Sequence, residues 1–186
     1  MPIVEAHILS GYSSTEKSRL LSALTDAIRF VVPAPDDAIT VMLHEYPQDA
    51  YARGGQQRTP APALPDPSQI VRDYLTAMED RDLERAQFML GDGFTMTFPA
   101  TGPMTDLTEL IAWSKGRYRF VKKTYEGFDA LHSDGVAVVY ARGTLSGEWL
   151  DGSAFEGIRF IDRFEISKGT ILRQDVWNDM GEVLTK

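Results

Sequence analysis

Four prolines fall between Pro60 and Pro67, within the stretch Gln56-Gln57-Arg58-Thr59-Pro60-Ala61-Pro62-Ala63-Leu64-Pro65-Asp66-Pro67. Each ring removes a backbone donor and blocks the preceding residue from helical geometry, so the run can neither continue a helix nor sit inside a sheet. It reads as an extended spacer, residues 56–67, between a first module at 1–55 and a second domain at 68–186. A module of that size buries too little surface to be comfortable alone, which predicts a homo-oligomer assembled through it. The remainder is an ordinary domain length.

Composition narrows the chemistry. Charged residues make up 25% and hydrophobic ones 43%, near the globular average, so the chain packs a core rather than staying disordered. With no cysteine there is no disulfide, thiolate nucleophile or cysteine-held metal. His7, His44 and His132 stand far apart in the chain without a close-spaced ligand pair, and no metal site is expected. The net charge of −8 is shared across the proline break, and neither half carries the basic stripe that phosphate backbones need, so nucleic acid is not an expected partner. No apolar run approaches the roughly 18 residues of a membrane span, and the N-terminus lacks a basic start and apolar segment; a cytoplasmic chain without membrane contact is expected. Phosphate loops, dinucleotide fingerprints, HExxH, GxSxG and internal repeats are absent from the sequence. Cofactor-free work on a small-molecule substrate is the reading that remains.

Residues 2–9 alternate, with Val4, Ala6 and Ile8 opposed to Ile3, Glu5 and His7, as in a strand with two differently used faces. Ser13 and Glu16 form a capping-box pair ahead of Leu20, Leu21, Leu24, Ile28 and Val31 at helical spacing, and Pro33 and Pro35 end that helix. Ile39, Val41 and Leu43 predict a second strand, and Gly54-Gly55 a turn. The order β-α-β implies a parallel pair joined by a crossover helix.

Beyond the spacer, Asp66 and Pro67 start a helix whose apolar face carries Ile70, Val71, Tyr74, Leu75 and Met78. A short helix near 82–90 follows, then a strand with Phe94, Met96 and Phe98 on one side, and a helix from 106 to 115. Four strand-like stretches close the chain, near 117–131, 136–149, 154–167 and 170–179. Helices followed by antiparallel strands make an α+β domain in which a curved sheet wraps helices and leaves a pocket.

Both halves resemble known families. Residues 2–55, with proline directly after the initiator methionine, the PIxxxHIL strand, the capped helix, a second strand ending in HE and an aromatic before a double glycine, resemble the 4-oxalocrotonate tautomerase superfamily. The resemblance implies a β-α-β subunit that pairs into dimers and larger rings, with the Pro2 amine as catalyst. That role suits a secondary amine with near-neutral pKa, which takes a proton from carbon alpha to a carbonyl. Family members acting on dicarboxylates place arginines where this chain has Tyr12 and Thr40. Tyr51 matches the family aromatic and either donates a proton, orients substrate or only packs. Arg53 either binds an anionic group, depresses the proline pKa, or is a surface turn arginine.

Residues 68–183 resemble the SnoaL-like branch of the nuclear transport factor 2-like superfamily through SQIVRDYLTAMEDRDLERAQFMLGDGFTMTFP, GIRFIDRFEISKG and TILRQDVWND. The resemblance implies a cone-shaped α+β fold that hosts both enzymes and binding domains. Period two puts Asp162 on the face of Ile158, Phe160, Phe164 and Ile166. A carboxylate there is either a general acid or base, the partner of a cation such as Arg142, or at an edge position exposed to water. Arg142, Asp162 and Asp175 are also a conceivable catalytic set, although the resembled cyclases place their acid where this chain has Val176. Tyr74, Trp113, Met78 and Trp177 are candidates to line a pocket for a flat apolar ligand. The expectation is a cofactor-independent tautomerase or isomerase with a second, related small-molecule site, and the alternative is a non-catalytic binding protein whose first module is an assembly core.

Overall fold

The computed structural model describes residues 1–133 and 135–184. It separates into two units, Met1–Ala63 and Leu64–Lys186, so the division falls inside the proline-rich stretch.

In the first unit, β1 (Ile3–Leu9) and β2 (Thr40–Tyr46) form a two-stranded parallel sheet, joined by helix α1 (Ser14–Arg29). The Ser13/Glu16 capping box closes reciprocally and satisfies two of the first-turn donors. The helix stops at Arg29, so Val31 does not extend its apolar stripe as the spacing suggested; it is 85% exposed. Pro33 disfavours helical geometry at Val32, and the chain leaves the axis before Val31 can complete the turn. Gly54 and Gly55, with φ of 60° and 75°, make the two-residue loop of a small hairpin between β3 (Ala52–Arg53) and β4 (Gln56–Gln57). Residues 56 and 57 are therefore hairpin rather than spacer.

None of residues 1–63 is buried. Val4, Ala6 and Ile8 are half-covered, whereas Ile3, Met42 and Tyr46 stand exposed on the strands. A two-layer unit of one helix on two strands leaves the far side of its sheet open.

The second unit begins with α2 (Pro67–Glu79), capped by the Asp66 side chain on the Ser68 N–H, followed by α3 (Leu83–Phe88), β5 (Leu90–Thr97) and α4 (Leu107–Lys115). Then come β6 (Tyr118–Ser133), β7 (Val136–Trp149), β8 (Ala154–Ser167), β9 (Thr170–Asn178) and α5 (Met180–Leu184). The five strands run in the order β5-β9-β8-β7-β6, antiparallel except for the parallel β5–β9 pair. Register shifts at Tyr118/Phe120, Tyr125/Gly127 and Leu145/Gly147 bend the long strands and let the sheet curve around α2. Its core joins Val71, Tyr74 and Leu75 of α2 to Met96, Val139, Phe164 and Ile171 of the sheet.

Gly143 lies opposite Tyr125 beside one of these bulges, and a Cβ there would meet the Thr124 carbonyl oxygen at 2.0 Å. The backbone approach needs glycine although φ is ordinary. Gly143→Ala is expected to cost about 2 kcal/mol or more through forced strand separation, whereas Gly102→Ala, with open space around it, stays within about 0.5 kcal/mol of the parent. Urea unfolding of the two variants checks this. A second expectation follows from the open first unit: light scattering at micromolar concentration gives a multiple of the chain mass, and a fragment ending before the proline stretch retains that self-association.

Candidate functional site

Each unit carries its own candidate site. In the first, the C-terminal ends of β1 and β2, the β3–β4 hairpin and residues 58–61 enclose a groove of about 910 Å³. Tyr12, Tyr46, Tyr51, Arg53 and Arg58 line it, with His7 and Leu9 from β1. The Tyr12 hydroxyl donates to the Ala61 carbonyl at 2.9 Å and ties the proline segment to the turn after β1. Tyr51 and Arg53, picked out in the sequence, thus come together, and Arg58 adds a second guanidinium that the sequence reading passed over.

Pro2 is not part of that groove. It precedes the first residue of β1, and its carbonyl accepts the Thr40 N–H at 3.1 Å. The seven residues to Leu9 span roughly 23 Å of extended strand. One chain therefore keeps its Pro2 at the opposite end of β1 from Tyr51 and Arg53.

The sheet also assembles a cluster that linear spacing hid. Parallel register sets His7 directly opposite His44, correcting the view of the histidines as scattered. Their rings stack with centroids 4.8 Å apart, His44 Nε2 lies 3.4 Å from a Glu5 carboxylate oxygen, and His7 Nδ1 lies 2.9 Å from the Tyr46 hydroxyl. The signal needed to find this pair was register: counting inward from Ile3 and Thr40 reaches 7 and 44 together.

In the second unit, α2, α4, β6 and β9 enclose a pocket of about 130 Å³, lined by Tyr74, Met78, Phe98, Tyr118, Val121, Lys123, Tyr125 and Gln174 among others. That volume is near the roughly 150 Å³ of a cavity that accepts one benzene ring. Tyr74 comes from the apolar face of α2 as read from the sequence. Trp113 instead stands behind the wall, its ring centroid 5.3 Å from that of Phe98 and its face under the Arg117 guanidinium. Trp177 is 55% exposed.

Asp162 is completely buried on the apolar face of β8, as strand parity requires. Its cation is Lys123 rather than Arg142. Ala141 pairs with Asp162 across the ladder, so Arg142 projects from the other face, where it holds Asp129 at 2.9 Å. Asp175 is also on that other face, opposite Arg163 in register and 2.8 Å from Arg173. The set Arg142, Asp162 and Asp175 is thus split by the sheet and forms no common site.

Lys123 and Gln174 both reach Asp162 Oδ2, the amide donating at 3.4 Å, while Tyr74 donates its hydroxyl to Gln174 Oε1 at 3.2 Å. The other carboxylate oxygen is buried without a hydrogen-bond partner. Asp162 is not part of the pocket lining; Lys123, which compensates its charge, lines the cavity together with Gln174 and Tyr74. Burial, reinforced by the Asp162 carboxylate, pushes the Tyr74 and Tyr125 phenols far above their ordinary pKa. Both therefore remain neutral hydrogen-bond donors across the physiological range. Lys123 and Gln174 were legible only as alternation, Val121, Lys123 and Tyr125 on one face of β6 and Gln174 and Val176 on one face of β9; which face was inner was not.

The chain matches a family described as tautomerase enzyme over residues 2–58. It is similar to a 2-hydroxymuconate tautomerase of Stutzerimonas stutzeri, 34% identical over 56 residues that cover 30% of this chain and 89% of the relative. The C-terminal part is similar to solved structures of the nuclear transport factor 2-like fold. One is a protein of unknown function from Burkholderia pseudomallei, 19% identical with TM-score 0.52 over 63% of this chain and 93% of that one. Another is TerC crystallised with polyporic acid, 14% identical with TM-score 0.53 over 64% of this chain and 97% of that one. At such identities the likeness concerns fold. A β-α-β unit opening on proline, matched across nearly the whole of a shorter relative, places this chain in the tautomerase family through residues 2–58, with a nuclear transport factor 2-like fold following it.

Proposed function

We propose that this protein is a cofactor-independent tautomerase or isomerase that uses the Pro2 amine on a small carbonyl compound, and that its second unit binds or processes a related molecule. The observation that carries the reading is the tautomerase match over residues 2–58 with proline directly after Met1. Removal of Met1 frees a secondary amine at the start of β1. The amine takes the proton of an enol oxygen, the electron pair closes the carbonyl, and the resulting ammonium returns a proton to carbon; one hydrogen moves from oxygen to carbon with no redox change. The tautomerase relative's name points to an enol acid, and Arg53 and Arg58 supply the cations for its carboxylate. Because a single chain holds Pro2 and the groove at opposite ends of β1, the working site draws Pro2 from one copy and the groove from another. The absence of any buried residue among 1–63 supports such an assembly.

In the second unit, the proposed ligand is a single-ring enol or phenol. Lys123 faces its oxygen as a fixed cation, the neutral Tyr74 and Tyr125 hydroxyls stand near, and Asp162 acts from behind Lys123 as a positioning residue. The reading of a binding protein without catalysis draws on Tyr12 and Thr40, which stand where family members acting on dicarboxylates carry arginines.

Enol-to-keto assays on phenylenolpyruvate-like and oxaloacetate-like compounds, paired with intact mass, separate the two readings. A chain shown by mass to begin at Pro2 is expected to turn over, and one retaining Met1 to lose at least 100-fold in rate, because its proline nitrogen is an amide. Equal rates would remove Pro2 from the mechanism. For the second unit, Lys123→Met strands the buried Asp162 carboxylate and is expected to cost about 3 kcal/mol in urea unfolding. Asp162→Asn costs about 1 kcal/mol, since the partly exposed ammonium can turn toward water, while weakening the binding of simple phenols measured by fluorescence.

A further inference from the structure

The open face of the β1–β2 sheet carries a group that the proline chemistry does not use. Glu5, His7 and His44 present ligand atoms that all lie within 4.8 Å of one another. Two imidazoles and a carboxylate are the donor set of many three-residue zinc sites that keep an open position. Tetrahedral zinc, with bonds of about 2.0–2.1 Å, sets its ligand atoms roughly 3.4 Å apart. Glu5 and His44 already stand at 3.4 Å, and the two imidazoles, stacked within 15° of parallel, have to tilt toward each other to aim their lone pairs at one ion.

Two further observations point to a ligand. His44 Nε2 is shielded from solvent and faces the Glu5 carboxylate at 3.4 Å without making a hydrogen bond to it, so two donor atoms already face each other across a short gap. His7 is held through Nδ1 by the Tyr46 hydroxyl at 2.9 Å, which leaves Nε2 as its free nitrogen. An outer hydrogen bond on one ring nitrogen is how proteins orient an imidazole whose other nitrogen binds metal. The backbone contribution is rigid: His7 and His44 are direct partners in a continuous parallel ladder running from Ile3–Thr40 to Leu9–Tyr46.

We propose that Glu5, His7 and His44 form a site for a divalent transition metal, zinc being the best match, with Tyr46 as its orienting partner. His7 and Tyr46 also line the groove that holds Arg53 and Arg58, so a bound ion stands at the groove's edge with positions left for water or a substrate oxygen.

The test uses the full-length chain stripped with chelator. Titration with Co²⁺ is expected to produce visible d–d absorption saturating at one ion per chain, and Zn²⁺ to displace it. His7→Gln and His44→Gln, checked for folding by circular dichroism, are each expected to weaken Zn²⁺ binding at least tenfold, and Tyr46→Phe by roughly tenfold; His132→Gln leaves it unchanged. Zn²⁺ binding that survives intact in the His7→Gln/His44→Gln double variant, or the absence of any saturable Co²⁺ spectrum in the folded parent, overturns the site. Both readouts are independent of tautomerase turnover, so loss of activity through Pro2 cannot be mistaken for loss of the metal.

Discussion

A carboxylate with no exposed surface, Asp162, sits in the middle of an otherwise apolar strand face, and the second unit is built around that cost. Desolvating an ionised carboxylate is expensive unless a cation and hydrogen bonds replace the lost water. Here β6 supplies Lys123 and β9 supplies Gln174 to one carboxylate oxygen, and α2 supplies Tyr74, whose hydroxyl donates to the Gln174 amide oxygen and holds that amide in place. The arrangement demands the sheet order found, with β8 between β7 and β9, and a curvature that brings β6 back toward α2. Bulges and the glycine contact at Gly143 provide the bend. A polar-based pocket is the by-product of solving a burial problem.

The first unit poses the opposite problem. Its helix, strands and hairpin are well formed locally, yet nothing in residues 1–63 is buried, and exposed Ile3 and Met42 remain on its strands. Local order without a core is what a subunit looks like when its hydrophobic burial belongs to an assembly. The same logic applies to the proposed chemistry: one chain holds the groove with its tyrosines and arginines at the opposite end of β1 from Pro2, kept apart by the stiffness of a strand, and in the proposed function a second copy supplies the missing half.

Placing two modules in one polypeptide ties the concentration of the second pocket to that of the first. The pockets differ in character. The groove is wide, open and cationic, whereas the second pocket is small, walled by phenols and backed by one ion pair. In the proposed function a small enol acid occupies the former and a compact ring bearing one oxygen the latter.

Much of this was legible in the chain itself. The prolines between 60 and 67 mark a break because proline removes backbone donors wherever it stands, and the caps at Ser13 and Asp66 are local hydrogen bonds written within three residues. Alternation along β8 placed Asp162 inward, since pleating is a property of one strand. What no single segment contains is the partner across a ladder. Lys123 rather than Arg142 meets Asp162, His7 meets His44, and Asp175 turns away from the pocket, because each outcome depends on register and on which sheet face the helices cover. Those are decided by packing among elements 30 to 100 residues apart, and a one-residue change of register would have reversed every one of them.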